Sequence, residues 1–177
     1  DNLEFQSADF RYIYAPGRSF NGRSFNGLNL SHSDFTCASL VETYLENTSF
    51  NDARLERVDF LNADASAASF INTNLRDANF MGAELPDATL FRPSNLTNTE
   101  LEGAFVQNSN WPSEVAKKNP NGIPGFNPME WLAVPLSNGP HKIYKLTRGG
   151  SGPKPNLGRI RCGNPSFTQV RSSPYIN

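Results

Sequence analysis

The sequence predicts an all-β solenoid, and three observations carry that expectation. Apolar residues return at every fifth position without a slip: Phe25, Leu30, Phe35, Leu40, Leu45, Phe50, Leu55, Phe60, Ala65, Phe70, Leu75, Phe80, Leu85 and Leu90. Two residues before each sits a smaller one, in the series Ser33, Ala38, Thr43, Thr48, Ala53, Val58, Ala63, Ala68, Thr73, Ala78, Ala83 and Ala88. Only 37% of the 177 residues are hydrophobic, yet 13 are Phe, which suits a narrow core filled by a few large side chains. A period of five matches neither the three-and-four spacing of a helix nor the alternation of a simple strand.

The position between the small and the large residue is mostly Asn, Asp or Ser, as in Asn29, Asp34, Ser49, Asp59, Asp64, Asn74 and Asn79. Those residues suit tight turns and exposed sites. The pattern resembles the A-(D/N)-L-x-x motif of the pentapeptide-repeat family, most plainly in Ala8-Asp9-Phe10, Ala63-Asp64-Ala65 and Ala78-Asn79-Phe80. The resemblance implies a right-handed quadrilateral parallel β-helix in which four pentapeptides make one coil of twenty residues. The large residue and its small partner would face inward, and the other three would face solvent.

Backward, the spacing continues through Phe20, Ala15, Phe10 and Phe5, but Arg18 and Arg23 occupy small positions. Residues 1–25 are therefore expected to be distorted repeats or a cap. Forward, one extra residue falls in Phe91-Arg92-Pro93-Ser94-Asn95, and the period resumes at Leu96, Leu101, Val106 and Trp111. This reads as a bulged corner. The repeat domain is placed at 1–111, about five coils, and at a strand spacing of about 4.8 Å the rod is roughly 25 Å long. Inward columns should read Phe10, Leu30, Phe50, Phe70, Leu90 and Phe20, Leu40, Phe60, Phe80, Leu101. Outside, Asp34 with Arg54, Glu56 with Arg76, and Arg57 with Asp77 fall twenty apart, while Asp64 over Glu84 is a like-charge exception.

Residues 112–177 hold 18 Pro or Gly and should form a largely irregular C-terminal extension with one or two short helices. A helix from Ser113 to Lys118 could close the last coil. Asn127-Pro128-Met129-Glu130 reads as a capped turn presenting Trp131, Leu132, Val134 and Leu136. His141 to Arg148 is expected as a strand. Charge divides at the same boundary: residues 1–111 carry fifteen Asp/Glu and seven Arg, net -8, and 112–177 carry nine Lys/Arg and two Glu, net +7. A basic tail is expected to lie on the acidic body, or each half to meet its own charged partner. No apolar run is long enough to span a bilayer, and Asp1-Asn2-Leu3-Glu4 does not read as a signal peptide, so the chain is expected to be made without one or already processed.

Catalytic, cofactor and metal sites are not expected. Ser31-His32-Ser33-Asp34 has triad residue types, but neighbours on a coil diverge. Arg148-Gly149-Gly150-Ser151-Gly152 lacks the Lys-Ser/Thr of a phosphate loop, and His32, His141, Cys37 and Cys162 have no metal-ligand spacing. Cys37 and Cys162 could instead form a disulfide stapling the tail down and implying an oxidising compartment, two unrelated thiols being the other reading. Candidate docking residues are Val41, Leu61 and Met81, stacked at one outward position by the period, with Trp131 and Leu132 in the tail. Ile71 and Phe91 repeat the hint on another side.

The function expected is that of a non-catalytic structural or interaction protein, a rod that docks on protein subunits of a larger complex. It would need no cofactor, substrate or nucleic acid and could lie peripheral to a membrane complex. Because the family is abundant in cyanobacteria and in the thylakoid lumen, the resemblance suggests a photosynthetic assembly there, with a bacterial cytoplasmic protein as the alternative. From another class comes an acidic mimic of DNA that inhibits or protects DNA gyrase, which the -8 body favours and the +7 tail opposes.

Overall fold

A computed structural model describes residues 10–88, 95–97, 99–101, 103–106, 111–118, 122–124, 127–137 and 141–145. Its body is a right-handed quadrilateral parallel β-helix. Four ladders of parallel bridges run up the rod at twenty-residue steps: Asn29, Ser49, Ser69; Tyr14, Asp34, Arg54, Asn74; Ser19, Ser39, Asp59, Asn79; and Ser24, Tyr44, Asp64, Glu84. We name the sides after Asn29, Asp34, Ser39 and Tyr44. The ladders continue from Asn74 to Asn95, Asn79 to Glu100 and Glu84 to Phe105, steps of twenty-one. One residue is thus inserted between these coils; the bulged corner expected at Phe91–Asn95 lies mostly outside the described residues.

Each side ends in a tight turn. The amide of the small residue donates to the carbonyl of the preceding large one, as from Ala38 to Phe35 at 2.8 Å and from Ala63 to Phe60 at 2.9 Å. The third residue of each turn has positive φ, including Glu42 at 56°, Asp52 at 59° and Ala67 at 54°. Positive φ at that position alone defines a type II turn. The second turn amide is held by a side-chain oxygen. Asp34, Asp59, Asp64, Asn74 and Asn79 accept from the amide two residues ahead, which explains why Asn and Asp recur at that position. Where Ser39, Tyr44 or Ser69 stands there instead, an Asn one coil below supplies the oxygen: Asn21 to Val41, Asn26 to Glu46 and Asn51 to Ile71.

The large residues meet across the axis. Phe50 stacks on Phe70 at 5.5 Å and Phe60 on Phe80 at 4.5 Å, each directly above the other within a side. Phe50 and Phe60 come from opposite sides and touch edge to face at 6.2 Å, as do Phe70 and Phe80 at 5.7 Å. Aromatic pairs favour both arrangements. Thr48 and Thr73, buried at small positions, donate to the carbonyls of Phe25 and Phe50, so their hydroxyls are satisfied inside an apolar core.

Of residues 1–25, expected as distorted repeats or a cap, residues 1–9 lie outside those described. Residues 10–25 keep regular bridges and turns. Only the side chains depart: Arg18 and Arg23, at small positions, are exposed. The ladder is made by backbone groups alone, so it tolerates them.

At the other end the extension covers the last coil. Strand β1 (Phe105–Val106) belongs to that coil, α1 spans Trp111–Lys118, and strands β2 (Trp131–Pro135) and β3 (His141–Lys145) follow. These strands make an antiparallel sheet in the order β1-β3-β2, with Phe105 opposite Lys142 and Ala133 opposite Ile143. Ile143 exchanges backbone bonds with Gly103 and Ala104, and Val115, Ile123, Ala133 and Ile143 join the core. An open solenoid end would leave strand edges unpaired, and β3 pairs the edge that Phe105–Val106 would otherwise present. A 3-10 turn at Pro128–Glu130 precedes β2, with Asn127 accepting from the Met129 amide at 3.1 Å. The strand expected over 141–148 is observed over 141–145, and the residues after it lie outside those described. Among the described residues no helix is long and apolar enough to cross a membrane.

Two stability measurements test this construction. Phe60→Ala should cost about 3–5 kcal/mol in denaturant unfolding, because its ring contacts Phe80 above it and Phe50 and Phe70 from the opposite side. Ala67→Gly should stabilise by about 0.5–1 kcal/mol, since the left-handed conformation costs alanine more than the extra chain entropy costs glycine; a fall in melting temperature would contradict the turn geometry.

Candidate docking surface

The second residue of each turn lies at a corner of the rod, outward except at the buried Ser31, and the four corners present four different columns there. Three are polar or mixed: Ser31, Asn51, Ile71; Thr36, Glu56, Arg76; and Glu46, Ser66, Pro86. The fourth is Val41, Leu61, Met81, at the corner between the Ser39 and Tyr44 sides. Val41 and Leu61 are half-buried, while Met81 is 42% exposed. The period thus brings three apolar side chains into one line over three successive coils.

Acidic residues flank that line. The Ser39 side carries Glu42, Asp59 and Glu100, and the Tyr44 side carries Glu46, Asp64, Glu84 and Asp87. Above the first coil, no Arg or Lys lies among the described residues of these two sides. The rod's cations gather on the Asp34 side. There Arg54 pairs with Asp34 at 3.5 Å, and Asp77 lies between Arg57 at 3.9 Å and Arg76 at 3.4 Å. Two of the three ion pairs read from the register form. The third does not: Glu56 accepts from the Asn74 side-chain amide and Arg76 turns to its neighbour Asp77.

The other candidates are scattered. Trp131 and Leu132 lie in β2, the edge strand of the cap, and their side chains are outside those described. Phe91 is also outside the described residues. Exposed on the cap are Met129, Val134 and Leu136. Sequence reasoning passed over Tyr14 and Tyr44, 74% and 54% exposed at positions elsewhere held by Asn or Asp, and Tyr12, stacked on His32 with ring centroids 5.0 Å apart. The register alone marks all three as outward, so aromatic residues at polar positions were the available signal. Cys37 stands at the corner between the Asp34 and Ser39 sides and is disulfide-bonded rather than a free thiol. Cys162, its expected partner, lies outside the described residues. Among the described residues no cluster of His, Cys, Asp and Glu could hold a metal ion.

The family model for pentapeptide repeats matches in eight copies, over segments that include residues 19–52, 48–85 and 59–92. The chain is a pentapeptide-repeat protein. Its repeat is similar to that of several solved structures. One is a pentapeptide-repeat protein of the Arabidopsis thaliana thylakoid lumen, 22% identical over 58% of this chain and 77% of that one, with a TM-score of 0.30. Another is HetL, involved in heterocyst differentiation regulation in the cyanobacterium Nostoc, 24% identical over 56% of this chain and 48% of that one, TM-score 0.30. A third is QnrB1, a plasmid-mediated fluoroquinolone resistance protein, 16% identical over 57% of this chain and 54% of that one, TM-score 0.40. This chain therefore spans about half the length of HetL and of QnrB1. No curated protein matches it significantly.

In this pentapeptide-repeat protein the Val41, Leu61, Met81 line belongs to the surface, not to the core. Leu61→Glu should accordingly leave the melting temperature and the circular dichroism spectrum nearly unchanged, within about 0.5 kcal/mol. A loss of several kcal/mol would place Leu61 inside.

Proposed function

We propose that this chain is a non-catalytic scaffold, a rigid rod that docks on protein subunits of a larger assembly through its Val41, Leu61, Met81 line. The observation that carries the reading is the contrast between corners, because equivalent positions elsewhere are polar or mixed while one column is apolar through three coils. Coil stacking fixes the spacing of the row at about 4.8 Å, so a partner meets a preorganised surface and loses little entropy in ordering it. Covering each side chain would contribute about 1 kcal/mol, since two are already half-buried. The acidic residues on either side favour a partner that surrounds an apolar groove with Lys and Arg.

Pentapeptide-repeat proteins are generally non-catalytic, and the packing of this rod agrees with that role. Phe rings from opposite sides meet at its centre, where an enzyme would keep a cavity. The specific assembly we put forward for testing is a photosynthetic one at the thylakoid, on the distribution of the family.

Affinity purification from the source cells, followed by mass spectrometry, tests the reading. A fixed set of subunits should co-purify with the wild type and be lost with Leu61→Arg, which keeps the fold. Retention of the same subunits by the variant would remove the apolar line from the docking surface. Recovery of the wild-type chain alone would count against the scaffold reading itself.

The acidity of two adjacent sides favours a second reading, a mimic of DNA that acts on gyrase. The three arginines on the Asp34 side weigh against it. A gyrase supercoiling assay separates the two: inhibition or drug protection at micromolar protein supports the mimic, and no effect excludes it.

A further inference from the structure

Beside the Val41, Leu61, Met81 line stand groups that the scaffold reading does not use. Tyr44, on the same coil as Val41 and just around the corner, is 54% exposed at a position mostly held by small polar or acidic residues. Above it on the Tyr44 side, Asp64 bridges Glu84. Like charges in register repel one another, and among the described residues neither carboxylate makes an ion pair. Asp59 flanks the line on the Ser39 side, and Glu42 lies at the corner itself. The strip ends upward in a cation, because the Lys142 side chain packs over Gly103 at the top of that corner. Acids stacked without cations beside an exposed apolar row make a surface that a cationic partner completes.

We propose that the segment docking on this line is a basic amphipathic α-helix of a partner protein, lying along the rod. Its apolar stripe covers Val41, Leu61 and Met81, and its flanking Lys or Arg residues reach Asp59 on one side and Asp64 and Glu84 on the other. The inference rests on the scaffold reading and specifies the partner's form. Spacing separates a helix from a strand. The line climbs about 4.8 Å per coil, so its three side chains span about 9.6 Å. Residues i, i+3 or i+4, and i+7 of a helix share one face and rise about 10.5 Å over the same two steps. Alternate residues of a strand need about 13.5 Å. A helix keeps register through all three coils, whereas a strand has slipped by most of a coil at the third.

Width and charge agree with this fit. A helix with its side chains is about 10–12 Å across, so on a corner it overhangs both adjoining sides and carries its flanking residues over the acids. Cations placed there relieve the repulsion between Asp64 and Glu84, a gain that a neutral helix lacks. Tyr44 at the lower end offers a ring face to an apolar or Arg side chain. An isolated helix of three or four turns is marginal in water. Docking should therefore raise the helicity of a free peptide of this kind.

Synthetic peptides of Leu and Lys, each of about five helical turns, test the match against the full chain by fluorescence anisotropy and circular dichroism. One has Leu at helical spacing, a second has the same residues in strict alternation, and a third has them scrambled. The helical-period peptide should bind at least about tenfold more tightly than either control, a difference of about 1.4 kcal/mol, and should gain helicity on binding. Leu61→Arg and Met81→Lys should each weaken it by about tenfold or more. Asp64→Asn with Glu84→Gln should weaken it and flatten its dependence on salt. Equal affinity for the alternating or scrambled peptide, or no binding of any of the three, would overturn the helix. Unchanged affinity in both Leu61→Arg and Met81→Lys would overturn the site. Subunits that co-purify with the wild type and are lost with Leu61→Arg would uphold the scaffold even where the helical peptide fails, so the two readings fall separately.

Discussion

A square coil of twenty residues requires the chain to turn sharply at every fifth residue, and here each turn places its third residue in the left-handed region of backbone space. For a residue other than glycine that conformation costs about 1–2 kcal/mol. From Tyr12 to Asp87 only four of the sixteen such positions are glycine, yet the geometry holds at all of them. What offsets the cost is repetition. Each corner sits on an identical one, so backbone groups freed by the turn bond the next coil, as Asp52 N–H does to Ile71 and Arg57 N–H to Arg76.

Narrowness follows from the same constraint. A side that is turned after five residues can direct only two of them inward, and rings from opposite sides then meet at the axis. Large and small residues must alternate because two large ones on one side would collide. Among the described residues, side chains from opposite sides fill the axis. Outside, the three remaining positions of each repeat form columns that run along the rod.

Those columns give the surface its order. One corner lines up apolar residues, two sides collect acids, and a third pairs its acids with arginines. A surface built in this way is stiff, because each side chain is rooted on a backbone bonded above and below. Stiffness favours a scaffold, since a partner that docks on it need not organise it. The cap extends the logic to the rod's end, where β3 satisfies the last coil's backbone and buries Ile143 beneath it.

The five-residue period alone determined which side of the chain each residue faces, because a repeat with no slip permits one register. Phe60 inside, Leu61 outside and Asp34 beneath Arg54 all follow from counting. Even the inserted residue near Phe91 could be counted, as the steps of twenty-one to Asn95, Glu100 and Phe105 show. Counting could not reveal that Asn21, Asn26 and Asn51 stand in for the missing Asn or Asp of the coil above, since the register marks these side chains only as outward and not which amide they reach. Nor could it show β3 joining the last coil, because the extension has no period and its pairing depends on which edge is open. The partial burial of Cys37 and Asp77, at a turn position where every equivalent from Tyr12 to Asp87 except Gly82 is exposed, was likewise decided only in three dimensions. A repeat encodes its own packing locally, whereas the contacts of a non-repeating segment are fixed by the surface it meets.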